Sequence, residues 1–383
     1  MAEPATGEKR VTWAELFFDL VFVFAVTEVS GLLHHDHGWA GVLRALVVFV
    51  PIWWAWVGTS VHANTHDVDN PVDRVGIFAV GLFSLFMALA VRDVYGERGL
   101  LYGVSYFAIR LLLAALVFRG GRITVNAFSV AAAVTGPLLV VGGLLHGGWR
   151  LALWALAALT DLSVPRLLRS RLALIHFNAD HLPERFGLFL IIALGESIVA
   201  VGIAAAPDPM SPARLAAVAA AFTLACALWW VYFAFAANAV QYALSVAQIQ
   251  TDIIRQVLAY GHLSLIGAVI AVAVGLAEAV HHPTAPLHLD VAGLLLGGCT
   301  LYLATFGYTR WRMFRRIGWG RLAAAAMCLA VLPASPVLPA LVVLLALVVI
   351  TVALNAFEAA AVRRARAAHQ RRMAGPELAT EPG

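Results

Sequence analysis

An all-α, polytopic membrane bundle is the fold class this sequence predicts, and three observations predict it. Of 383 residues, 62% are hydrophobic and only 13% charged, with a mean hydropathy of +0.85, which is more apolar surface than one soluble core buries. About twelve apolar windows are long enough to cross roughly 30 Å of hydrocarbon. The third is an internal echo: "WAELFFDLVFVFAVTE" at 13–28 returns in altered form as "PERFGLFLIIALGES" at 183–197.

The windows fall near 14–33, 40–60, 75–91, 99–118, 124–145, 149–164, 186–206, 214–237, 253–279, 290–309, 320–334 and 338–358. The first follows Lys9 and Arg10 but is studded with acids and lacks a small-x-small cleavage site, so it is expected to stay as a span. The sixth and eleventh are short and rich in alanine, and the count is least constrained there. With the N-terminus cytoplasmic, twenty Lys and Arg fall on that side, five on the other, and Arg110 inside the fourth span. Short loops of inner-membrane proteins show this bias. The expected site is therefore the bacterial cytoplasmic membrane, with both termini inside.

Sliding the chain against itself by about 170 to 180 residues aligns further blocks. "PIWWAW" at 51–56 meets "ALWWVY" at 227–232, and "DRVGIFAVGLFSL" at 73–85 meets "IRQVLAYGHLSL" at 254–265. This pairs Trp53 and Trp54 with Trp229 and Trp230, and Ser84 with Ser264. Six spans return a chain to its starting side, so the halves are expected as parallel repeats. The expected units are 1–165, 166–358 and a basic, disordered tail at 359–383.

The two echoing stretches, with "HLPERFGLFLIIALGESIVAVG" at 181–202, resemble the signatures of the bacterial low-temperature-requirement A (LtrA) membrane proteins. The resemblance runs over nearly the whole chain and implies an integral membrane protein without fixing its chemistry. By looser analogy, "FFD" at 17–19 is similar to a motif of a potassium-channel family also built from two six-span repeats. "LFL" at 188–190 lacks that acid.

The acids sort by depth. Thr12 and Glu15 form a capping box at the start of the first helix, and Glu184 follows Pro183 at another helix start, so both acids read as structural. Asp19, one turn past Glu15, lines a mouth or partners Arg185. Glu28 and Glu196 lie deeper, each close to a serine, Ser30 and Ser197. An unpaired charge there costs on the order of 3 kcal/mol, so these two are the leading candidates for carrying a cation or proton. Arg110 needs an acid: Glu28, Glu196 or Asp19, or a partner in a fixed ion pair. His262, inside a span, is proton-active or a hydrogen-bonded core residue.

Loop histidines suggest two weak metal groupings, His176, Asp180 and His181, and His62, His66 and Asp67. The cysteines Cys226, Cys299 and Cys328 have no paired spacing and read as packing residues. Basic clusters such as "RWRMFRR" abut spans and serve anionic lipid rather than nucleic acid. No P-loop, nucleophile elbow or HExxH is present, and no cofactor is expected. The expected partners are the bilayer and a small solute or ion. The functional reading is a transporter or channel. The alternatives are a membrane enzyme of lipids or isoprenoids, or an envelope scaffold for cold tolerance.

Overall fold

The computed structural model describes residues 11–66, 68, 70–119, 124–172, 177–207 and 209–374. His176, Asp67 and residues 375–383 lie outside the described residues, while residues 359–374, expected as part of a disordered tail, continue the last helix. Every extended element among those described is a helix.

The helices of the first half are α1 (Trp13–His35), α2 (Trp39–Thr65), α3 (Pro71–Val91), α4 (Gly99–Phe118), α5 (Ala127–Leu144) and α6 (Gly147–Leu167). Those of the second are α7 (His181–Ala205), α8 (Pro212–Ser245), α9 (Gln250–His281), α10 (Leu289–Phe314), α11 (Trp319–Ala330) and α12 (Ala340–Ala374). Ten among the described residues are long and apolar enough to cross a membrane, all except α6 and α11. The protein is thus a helical, multi-pass membrane bundle. In α11 the cause is local: α-helix ends at Ala330, and "LPASPVLP" brings three prolines in succession, with only a short 3-10 turn at Leu332–Ala334.

The helix starts follow from sequence. Thr12 and Glu15 make the expected capping box, with Thr12 N donating to Glu15 Oε2 at 2.8 Å and Glu15 N to Thr12 Oγ1 at 3.3 Å. Asn70 caps α3 ahead of Pro71, and Ser211 caps α8 ahead of Pro212. Three helices contain a wider π turn, at Ala131–Thr135 in α5, Tyr232–Ala236 in α8 and Ile254–Ala259 in α9.

Both halves share one order of neighbours. In the first, α1 packs on α3, α3 on α4, α4 on α5, α5 on α6, and α2 on α1 and α6. In the second, α7 packs on α9, α9 on α10, α10 on α11, α11 on α12, and α8 on α7 and α12. The halves meet along a seam in which α1 and α2 face α7 and α9. The tryptophan pairs differ in setting: Trp53 and Trp54 are buried, whereas Trp229 and Trp230 are 41% and 50% exposed.

Candidate functional site

The seam carries charge at both ends and aromatic rings between. At the end where α1 begins, Arg185 of α7 reaches across to α1, with Nη1 2.7 Å from Glu15 Oε1 and Nη2 3.1 Å from Asp19 Oδ1. All three side chains are fully buried. Trp56 of α2 donates its indole N–H to Asp19 Oδ1 at 2.7 Å. The Arg185 guanidinium also lies 5.7 Å from the ring centroids of both Phe18 and Trp56, within cation–π range.

His181 completes the cluster and ties it to α2. Asn64 Oδ1 accepts from Asn178 N at 3.0 Å while Asn64 Nδ2 donates to Asn178 O at 3.2 Å, which orients the amide. That same Nδ2 is 3.2 Å from His181 Nδ1, so Nδ1 accepts. His181 Nε2 lies 3.3 Å from Glu15 Oε2 and bonds to it. Two carboxylates thus share one guanidinium and one imidazole. Asp19 Oδ2 is buried and has no hydrogen-bond partner among the described residues.

Next along the seam is an aromatic barrier. Trp53 and Trp56 stack at 5.1 Å, and Trp56 meets Phe186 and Phe189 of α7 at 4.8 and 4.4 Å. Phe22 of α1 faces Phe189 at 6.3 Å. Trp53 Nε1 donates to the Ala259 carbonyl of α9 at 2.9 Å, fixing the barrier to both halves.

Beyond the barrier, polarity returns. Thr27 of α1 donates to Glu196 Oε2 of α7 at 2.5 Å. Glu28, the next residue, is 3.6 Å from Arg92, a side chain 77% exposed at the far end. Thr27, Glu28, His35 and Arg92 line a cavity of about 420 Å³. Ser197 Oγ is buried without a hydrogen-bond partner among the described residues. Asp19 and Thr27 are eight residues apart on one helix, about 12 Å at 1.5 Å per residue.

Sequence reasoning found several of these residues and misjudged some roles. Glu15 caps its helix as expected, yet the same carboxylate receives Arg185 and His181 from the other half. Glu184 is exposed in the first turn of α7. Arg110 meets none of the acids of α1 or α7. Its Nη2 lies 3.5 Å from Asp161 Oδ2, its guanidinium stacks 4.7 Å from the Tyr106 centroid, and Tyr106 and Thr135 also donate to Asp161. It forms a buried ion pair within the first half. His262 is buried, with Nδ1 3.1 Å from the Leu258 carbonyl and Nε2 2.8 Å from the Tyr232 hydroxyl.

The histidine groupings separate into pairs. His62 lies 3.3 Å from Asp73 and stacks on His66, while His181 turns inward to Glu15 and Asp180 accepts from Gln241. Among the described residues, no three His, Cys, Asp or Glu side chains converge as a metal would need. Trp56 and Asn64 were missed, because neither is charged and their roles arise only from contacts across the seam.

These features define a multi-pass helical membrane protein whose two halves meet along a charged seam. The sequence pattern of the bacterial low temperature requirement A protein (LtrA) matches residues 10–356, and the chain belongs to that family. An uncharacterized protein of Rhizobium meliloti (strain 1021) is 29% identical over 314 residues, covering 78% of this chain and 76% of that protein. No solved structure matches the chain.

Proposed function

We propose that the protein is a transporter or channel for a small cation or proton, and that the seam between its halves is the path. One observation carries this reading: a fully buried cluster in which Glu15 and Asp19 share Arg185, with Asp19 Oδ2 left without a hydrogen-bond partner among the described residues. A proton or a monovalent cation at that oxygen supplies a partner. Ionisable groups buried so completely are expensive and mark ion and proton pathways. Glu196 and Glu28 are the corresponding stations beyond the aromatic barrier, whose rings keep the two polar ends from joining.

The reading includes twelve spans, with α6 and α11 as the shorter two, arranged as parallel six-helix repeats. The shared neighbour order of the halves supports the repeats, and α1 and α7, their first helices, touch along the seam. The Arg bias supports cytoplasmic termini in a bacterial inner membrane. Cysteines placed within 165–183 and 310–320 should resist an impermeant thiol reagent in intact cells. Ready labelling there, with the opposite loops silent, would reverse the orientation.

Flux into proteoliposomes, screened over protons, monovalent and divalent cations and small metabolites, tests the function directly. Protein-dependent flux of a cation or proton is expected. A screen in which loaded and empty liposomes behave alike would defeat the proposal.

A further inference from the structure

A second cavity, of about 450 Å³, lies wholly in the second half, among α8, α9, α10 and the start of α11. Its floor is apolar and aromatic: Tyr232, Val240, Val257, Leu265 and Phe306 line it, beside His262. Its rim is cationic, with Arg310, Arg316 and Arg321, and no Asp or Glu lines it.

The three arginines are not equivalent. Arg321 is neutralised by Glu358, with Nε 2.7 Å from Oε1 and Nη2 2.9 Å from Oε2, and it stacks 4.9 Å from the Phe306 centroid. Arg310 and Arg316 are exposed at the rim, and neither has an ion-pair partner among the described residues. Two uncompensated guanidiniums thus face an opening with a greasy floor. Planar guanidiniums suit carboxylate and phosphate oxygens, which they bind in pairs.

The backbone is irregular on two sides of the cavity. Tyr232 and Ala236 belong to the π turn of α8, and Val257 to that of α9. Single π turns inside α-helices are frequent at functional sites. In α9 the wide turn leaves the Val257 and Leu258 carbonyls facing His262 Nδ1, which fixes the imidazole and through it the Tyr232 hydroxyl. The cavity wall is held in place before any ligand arrives.

We infer that this cavity binds an amphiphilic phosphate, its anionic head on Arg310 and Arg316 and its apolar part on the floor formed by Tyr232, Leu265 and Phe306. The ligand is either a free organic phosphate or the head and upper chain of an anionic lipid. The cavity adjoins the seam where His262 meets Phe186 at 5.0 Å, but the residues assigned to the ligand are outside the acid cluster, so its binding is read independently of ion flux.

The probe is hexyl phosphate, titrated by calorimetry against the full-length protein in phosphatidylcholine nanodiscs. Saturable binding is expected, weaker for inorganic phosphate and absent for hexanol, since each lacks one part of the match. Arg310→Ala with Arg316→Ala should weaken it at least about tenfold, two charge-assisted contacts being lost. Both side chains are exposed and unpaired, so that variant should fold. Ala239→Phe, which fills the cavity from its half-buried wall, should abolish binding without removing charge. Repeating the titration with phosphatidylglycerol in the nanodisc separates the sources: competition identifies the lipid, and unchanged binding a soluble phosphate. No saturable binding to wild type, or equal binding by the double variant, would overturn the assignment.

Discussion

The two ends of the seam solve the same physical problem in opposite ways. At the end where α1 begins, every charge is fully buried and held by partners from both halves: Glu15 and Asp19 on Arg185, with Trp56 and His181 behind them. At the other end the partners are thin. Glu196 has one hydroxyl, and Glu28 has an arginine that is mostly in the open. The shallow pair carries the denser network of partners, and the deeper pair the sparser one. What decides a carboxylate's role is whether its partners balance its charge.

The largest effect should come from Arg185→Met. It leaves two buried carboxylates without a cation, and breaking a buried pair in this way costs roughly 3–5 kcal/mol. Folded yield by fluorescence-detected size exclusion should collapse, and normal yield would show that the cluster is not a structural clamp. Asp161→Asn is the control in the first half. It strands Arg110 and should lower stability by a similar amount, while flux by the surviving protein persists.

Thr12→Val is smaller, since only a helix cap is lost, about 1 kcal/mol. A shift in melting temperature beyond that of Arg185→Met would put the weight of the cluster on the cap. Smallest in stability are Glu28→Gln and Glu196→Gln. Glutamine keeps shape and hydrogen bonding, so each should stay within about 1 kcal/mol of wild type while flux is lost. Should both retain full flux, the distal end is only a packing contact, and the comparison sharpens to the near end alone.

Much of this was legible in the sequence, for physical reasons. Apolar length exposed the spans, and the Thr12–Glu15 spacing exposed the cap. Arg185 could be named as a partner for Asp19 because both sit near the starts of their helices. Asp161 was hidden: it is 51 residues from Arg110, in an alanine-rich stretch with no periodicity pointing to it. The contact of His181 with Asn64 was beyond reach too, because it arises only across the seam. The short α11 was half legible, its alanines visible and its proline stop overlooked.

The central claim is that the seam exchanges a cation or proton at Asp19, and Asp19→Asn tests it most directly. The amide keeps the oxygen that accepts from Trp56, and removing one carboxylate leaves Glu15 and Arg185 balanced, so the protein should fold with undiminished stability. Its flux in proteoliposomes, measured against wild type for the cation or proton that wild type carries, should fall to the level of empty liposomes. Full flux by folded Asp19→Asn protein would contradict the claim and make the buried cluster a structural clamp.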